Sequence, residues 1–256
     1  MEQAYVLNQS LRNVVLGGTL WLKMGKKRIG TAIDLSALGL NTIEEDAEHF
    51  YIGTLCSLRE LELHEDLNRY FNGILAKAVQ NIVGVQFRNC ATVGGSVFAR
   101  FGFSDVLTAL LALDTEVLLH QGGQVKLADF VKMPRDRDIL VKVLIKKDAR
   151  KASYSSLRKS AADLPVLNCA ISHYNGAWNI VMGSRPQKAM LTVLPGSENP
   201  TEQEVEALYA QVLQQVPFGT NYRGTEAYRR ILAAAMMKRN IQEICEGGHY
   251  ANTIVD

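Results

Sequence analysis

Three short segments carry residue types able to hold an anionic cofactor. In Leu16, Gly17, Gly18, Thr19 and Leu20, two adjacent glycines end the apolar run that begins at Val14. Without a Cβ in the way, their backbone N–H groups can face a phosphate, and the threonine hydroxyl adds a further hydrogen bond. The second segment, Arg88 to Val97, sets Thr92, Val93, Gly94, Gly95 and Ser96 in a row, so small and hydroxyl residues surround a second glycine pair. A short way on, Ser104 and Asp105 open the apolar run Val106 to Leu113, which puts a carboxylate at a helix N-terminus. Each feature also has a plainer reading. A glycine pair at a strand end is commonly only a turn. An acid in a first helical turn is favourable to the helix dipole without binding anything. The first segment is not a Rossmann G-x-G-x-x-G fingerprint, and no helix clearly follows it.

The elements that must position these segments are mixed. Val14 to Leu16, Arg28 to Leu35 and His49 to Thr54 read as strands, and Leu67 to Val83 carries one helical apolar stripe. Ala91 to Val97 reads as strand and loop around the second glycine pair, and Ser104 is the N-cap of a helix to Leu113. Two hairpins follow, turning at Gly122-Gly123 and at Asn175-Gly176, both pairs able to supply positive φ. Ile139 to Ile145 is a further strand, and the polar run Lys146 to Ser153 is the best linker. Thr201 with Glu204 forms a capping box that opens a helix over 202–215. The longest helix runs from Thr225 to Glu246 and stops at Gly247-Gly248. The expected architecture is α+β in two parts, a strand-rich domain over 1–149 and a small sheet packed by helices over 150–256.

Bulk properties narrow the function classes. A formal net charge of +2 with scattered basic residues gives no reason to expect nucleic acid or an anionic membrane as partner. The densest basic run, Lys23, Lys26, Lys27 and Arg28, reads as a solvated turn. No apolar stretch reaches membrane-spanning length, and Glu2 and Gln3 stand where a secretory leader would be basic, so a cytoplasmic protein is expected. The four cysteines, Cys56, Cys90, Cys169 and Cys245, form no C-x-x-C pair, so neither zinc nor an iron–sulfur cluster is signalled. They read as free thiols, with Cys90 turned into the core. The histidines, His249 among them, show no metal-ligand spacing. Trp21, Trp178, Met236 and Met237 read as packing residues, and Arg223, Arg229 and Arg230 as capping or domain-interface groups.

Taken together, the run Arg88 to Val97, the pair Ser104-Asp105 and the stretch Leu110 to Asp114 closely resemble the signature of the FAD-binding medium subunit of molybdenum hydroxylases. Leu16 to Leu20 is similar to that family's first phosphate loop, and Ile52 to Ser57 to its I-G-A-x-x-T segment. Arg223 to Arg230 matches the R-G-S-x-x-Y-R-R run of its C-terminal domain. The resemblance spans nearly the whole chain. It implies a vanillyl-alcohol-oxidase-type (PCMH-type) FAD-binding domain followed by a small α+β domain. Carried over by motif, Leu16, Gly17, Gly18, Thr19 and Leu20, with Thr92, Val93, Gly94, Gly95 and Ser96, would cradle the FAD pyrophosphate and adjacent sugar. Asp105 would hydrogen-bond the flavin side of the cofactor, and Leu140 would lie near the isoalloxazine. The partners implied are an iron–sulfur subunit and a large molybdenum-cofactor subunit, with NAD or another acceptor receiving the electrons. No catalytic residue and no metal ligand are expected in this chain, because the flavin supplies the redox chemistry.

The chain also departs from that pattern. Leu20 stands where many members have Asp, and Ser156 replaces a lysine that some members aim at the flavin edge, with Arg158 and Lys159 as nearby cations. The start at Met1 falls within the family's first helix, so the usual leading strand is expected to be absent. Phe101 and Phe103 are bulkier than the small residues usual there, and either shield the ring or offer a docking surface. Two other readings compete: a self-contained flavin oxidoreductase, and a degenerate subunit that keeps the fold without the flavin.

Overall fold

The computed structural model describes residues 1–247; Gly248 and His249 lie outside the described residues. The first elements are short: α1 (Glu2–Asn8), β1 (Val14–Val15), α2 (Leu20–Met24) and β2 (Ala32–Ile33). They are followed by β3 (Ile43–Glu45) and β4 (His49–Gly53). Six helices come next: α3 (Leu58–Leu63), α4 (Glu65–Arg69), α5 (Ile74–Val79), α6 (Val85–Cys90), α7 (Val93–Phe98) and α8 (Asp105–Ala112). Then come β5 (Thr115–Leu119), β6 (Gly123–Lys126), α9 (Leu127–Lys132) and β7 (Leu140–Lys146). The remainder holds β8 (Lys151–Leu157), β9 (Leu167–Tyr174), β10 (Ala177–Gly183) and β11 (Met190–Pro195), with α10 (Glu202–Gln215) and α11 (Glu226–Cys245).

Three sheets organise these elements. β1 and β2 pair in parallel as a two-stranded sheet beside the first glycine pair. A five-stranded antiparallel sheet has the order β3-β4-β7-β5-β6, and a four-stranded meander has the order β11-β10-β9-β8. Among the described residues no helix is long and apolar enough to cross a membrane.

Helix α8 explains why the two larger sheets hold together. All eight of its residues are buried, because it packs against β9 and β10 on one side and α5 and α7 on the other. Its N-terminus is capped as expected: the Ser104 hydroxyl accepts the Leu107 N–H at 3.2 Å. The opposite face of the meander closes a second core, in which Trp178, Ile180 and Met182 meet Val212, Met237 and Ile241 of α10 and α11. The capping box is present, with the Glu204 N–H donating to Thr201 Oγ1 and Glu204 Oε2 accepting the Thr201 N–H at 2.6 Å.

Several local expectations change. The stripe from Leu67 to Val83 is broken at Phe71 and Asn72, both at φ 55°. The cause is Asn68, whose amide N–H groups donate to the carbonyls of Leu61, Glu62 and His64 while its oxygen accepts the Ala76 N–H. That amide replaces the backbone bonds a continuous helix would have made. In the first hairpin only Gly123 has positive φ, at 67°. Leu119 pairs with Gly123, so the connection is one residue longer than a two-residue turn. The Asp138 carboxylate holds that connection by accepting the N–H groups of Gln121 and Gly122. The second hairpin turns as expected, with Asn175 at φ 49° and Gly176 at φ 73°.

Candidate functional site

The two glycine segments meet at one cavity of about 280 Å³. Its walls are Val14 to Gly17, Thr54-Leu55, Thr92 with Gly94, Gly95 and Phe98, and the segment Asp136 to Leu140; Asn8, Asn13, Lys27 and Leu35 complete it. Six of the twelve residues singled out by sequence therefore line it: Leu16, Gly17, Thr92, Gly94, Gly95 and Leu140. Gly18, Thr19, Leu20, Val93, Ser96 and Asp105 are not among its walls.

Local structure differs from expectation at both loops. The first glycine pair leads directly into a helix, α2, whose N-cap Thr19 sits at φ 57°. Gly18 is required there by a close backbone approach, since a Cβ would lie 1.9 Å from the Cys90 carbonyl oxygen. The second glycine pair is not strand and loop but helix α7. Thr92 caps it by accepting the Gly95 N–H at 3.2 Å, and Val93 and Val97, four residues apart, are both fully buried. That spacing is the helical signal, hidden in the sequence by two glycines and two β-branched residues.

Donor use separates the loops. In α7 the Val93 N–H donates to the Cys56 carbonyl at 2.8 Å, Gly94 N–H to the Thr54 carbonyl at 2.8 Å, and Ser96 N–H to the Thr92 carbonyl at 3.1 Å. With Gly95 held by Thr92, no N–H of that first turn is spare. The N–H groups of Gly17, Gly18 and Thr19 donate to no acceptor among the described residues. Gly17 and Gly95 also face one hydroxyl from two sides, because a Cβ on either would stand 3.0 or 3.1 Å from Thr92 Oγ1. The result is a cavity with the spare Gly17 amide on its wall beside Thr92, Gly94 and Gly95. That arrangement suits a phosphate ester carried on an apolar group.

Asp105 is placed differently. It is buried at the start of α8, and its carboxylate accepts from the Tyr154 hydroxyl, from Arg158 Nη2 at 2.6 Å and from Asn168 Nδ2 at 3.1 Å. Burial pushes its carboxyl up more strongly than the Arg158 charge pulls it down. The Tyr154 phenol, buried against that carboxylate, is pushed well above its ordinary range. Arg158 also donates to Ser156 and to the Asp163 carbonyl, so two of the three residues read from sequence near the flavin edge form one network with Asp105. Lys159 instead reaches the Tyr222 carbonyl.

Other sequence readings resolve as follows. Cys90 is exposed, not turned into the core. Its neighbour Arg88 takes the inward position in α6, donating to Glu62 Oε2 at 2.8 Å. Arg229 is buried and donates to the carbonyls of Val166, Gly219 and Gly224 and to Asn221 Oδ1. Trp178 is buried and Trp21 is half exposed, lying against Phe101 and Phe103. Lys27, Thr54 and the Asp136 to Ile139 segment were not marked as cavity residues by sequence. The signal for Lys27 was the basic run itself, read as a solvated turn.

Comparison with known proteins identifies the family. Residues 2–147 match the family described as the FAD binding domain in molybdopterin dehydrogenase. The chain is 27% identical over 246 residues to the uncharacterized protein YgfM of Escherichia coli (strain K12), covering 93% of this chain and 90% of that one. Quinoline 2-oxidoreductase from Pseudomonas putida 86 has a chain that superimposes with a TM-score of 0.84 at 18% identity, covering 97% of this chain and 95% of its own. A chain of carbon monoxide dehydrogenase from Oligotropha carboxidovorans gives a TM-score of 0.83 at 16% identity, over 96% and 94% of the two chains. The chain belongs to the FAD-binding family of the molybdopterin dehydrogenases, and its cofactor class is FAD.

Proposed function

We propose that this member of the FAD-binding family is the electron-relaying flavoprotein subunit of a molybdenum hydroxylase complex of the xanthine dehydrogenase type. One observation carries the reading. The spare N–H donor of Gly17 lines one cavity with Thr92, Gly94 and Gly95, and the spare donors of Gly18 and Thr19 follow it in the same loop. In this assignment those donors bind the FAD pyrophosphate. Thr92 keeps its hydroxyl hydrogen for a phosphate or sugar oxygen while its lone pair holds Gly95. Leu20, Val93 and Ser96 fix the two loops from behind, and Leu16 and Leu140 contribute apolar wall with Ile139. Asp105 belongs to the flavin side, where its pairing with Arg158 ties the part over 150–256 to the FAD-binding part over 1–149.

FAD supplies hydride and one-electron chemistry when bound; the chain binds it, orients it and keeps water from its edge. Electrons would enter from an iron–sulfur subunit, with substrate oxidised on a molybdenum subunit and NAD or another acceptor reduced. Tagged chain purified from its native host tests the reading. FAD should bind and be fully released by acid, and an iron–sulfur and a molybdenum protein should accompany the chain. A chain that neither binds added FAD nor brings such partners would refute it.

A further inference from the structure

We propose that Lys27 is the charge partner of the cofactor's pyrophosphate, an inference that rests on the FAD reading above and adds a side chain to it. The ionisable residues lining the cavity are Lys27, Arg137, Asp136 and Asp138. Three of them are already committed. Arg137 donates to the Asn8 carbonyl and Asn8 Oδ1 and, at 2.8 Å, to the Asn13 carbonyl. Asp138 accepts the N–H groups of Gln121, Gly122 and Ile139. Asp136 Oδ1 accepts the Asp138 N–H at 3.2 Å. One guanidinium against two carboxylates leaves this lining with an excess of negative charge.

A pyrophosphate diester is a dianion, and lowering it into that field on amide donors alone is unfavourable. The usual remedy, the N-terminus of a following helix, is missing at the second loop because the first-turn N–H groups of α7 are spent on Cys56, Thr54 and Thr92. Lys27 supplies what the cavity lacks. It lies on the arm between α2 and β2, which leaves the first glycine loop through α2 and returns beside the start of β1, where the Gly30 N–H donates to the Arg12 carbonyl. It forms no ion pair with a carboxylate among the described residues, so turning its ammonium toward the cavity breaks nothing. Its neighbours Lys23, Lys26 and Arg28 do not line the cavity.

The test is FAD titration into the full-length apo chain, followed by flavin fluorescence at low and high salt. It uses wild type, Lys27→Gln and Lys26→Gln, with riboflavin as the probe lacking phosphate. Lys27→Gln should weaken FAD binding about tenfold at low salt and flatten its salt dependence. It should leave riboflavin binding and the melting temperature unchanged, since the side chain is exposed and unpaired. Lys26→Gln should behave as wild type. Wild-type FAD binding with an unaltered dissociation constant and salt slope in Lys27→Gln overturns the inference alone. Failure of the wild-type chain to bind FAD overturns the cofactor reading, and the inference with it.

Discussion

Gly94→Ala and Gly95→Ala add the same methyl group one residue apart, and the structure gives them opposite consequences. A Cβ on Gly94 would lie 1.7 Å from Thr54 Oγ1 and 2.7 Å from the Thr54 carbonyl oxygen, which already accepts the Gly94 N–H. Helix α7 must then lift off the end of β4. Overpacking of this kind costs about 1–3 kcal/mol. In a chain of this size each 1 kcal/mol moves the melting temperature by about 2–4 °C. Gly94→Ala should therefore melt about 2–12 °C below wild type, with FAD lost only as the fold loosens. Gly95 is exposed, and its Cβ would meet only Thr92 Oγ1, at 3.1 Å. Alanine there gains up to about 1 kcal/mol of helix propensity, so Gly95→Ala should melt at or slightly above wild type. Its methyl group nonetheless stands on the cavity wall and should weaken FAD binding about tenfold or more, since it keeps the cofactor from the backbone. Thermal melts of the apo proteins beside FAD titrations separate the two effects. Thr54→Ala in the Gly94→Ala background should recover part of the lost stability, because the nearest clashing atom is gone. Wild-type stability in Gly94→Ala would refute the packing argument, and wild-type FAD affinity in Gly95→Ala would remove Gly95 from the site.

Three further outcomes follow from the same structure. Asp105→Ala takes the carboxylate acceptor from Tyr154, Arg158 and Asn168 in a buried network, so it should cost about 3–5 kcal/mol, well above the ~1 kcal/mol of a helix-end charge. Because burial holds the folded carboxyl above the unfolded value of about 3.9, its contribution is full below that value and is lost as pH rises through the folded one. Asp105→Asn should therefore gain on wild type in melting experiments as the medium leaves acid. An Asn variant that falls further behind would show the Arg158 pair outweighing burial. Burial also pushes the Cys56 thiol up to about 11 and the Cys169 thiol up to about 12. A thiol reagent at mildly alkaline pH should find exposed Cys90 first and reach those two only on unfolding. Loss of the fast phase in Cys90→Ser is the check, and an unchanged fast phase would contradict the assignment. Arg229→Lys cannot span the four acceptors that Arg229 serves, and a buried acceptor left bare costs about 1–3 kcal/mol. The melting temperature should fall while FAD binding survives; an unchanged melting temperature would mean those bonds carry no stability.

What the sequence made legible was whatever a local rule decides. The Thr201 capping box, the Ser104 cap and the Asn175-Gly176 turn each depend on residues a few positions apart, and each is present. The misreadings share a different cause. The stripe from Leu67 is cut by Asn68, whose amide binds carbonyls of the preceding helix, and the first hairpin is lengthened by Asp138 from beyond the next helix. Both are bonds between a side chain and backbone of another element, which periodicity does not register. Helix α7 was missed because valine and glycine both lower helix propensity, and tertiary bonds to Thr54 and Cys56 override it.

The cavity shows why a motif match and a physical site are different kinds of statement. Gly17-Gly18 and Gly94-Gly95 look alike as sequence, and the resemblance gives both the same role. In three dimensions Gly18 answers to packing against Cys90 and Gly94 to packing against Thr54, while Gly17, Gly94 and Gly95 all border the cavity. Each pair therefore has one glycine that packing requires, Gly18 or Gly94, and Gly94 serves the cavity wall as well. A motif records only that both are needed. Which glycine meets the ligand depends on where the N–H groups are spent, and that is settled by residues some forty positions away in the case of Thr54. Asp105, likewise, is not among the cavity walls. A carboxylate already holding three donors is worth most as the fixed point between α8 and the meander, so its effect on FAD should travel through the position of that helix.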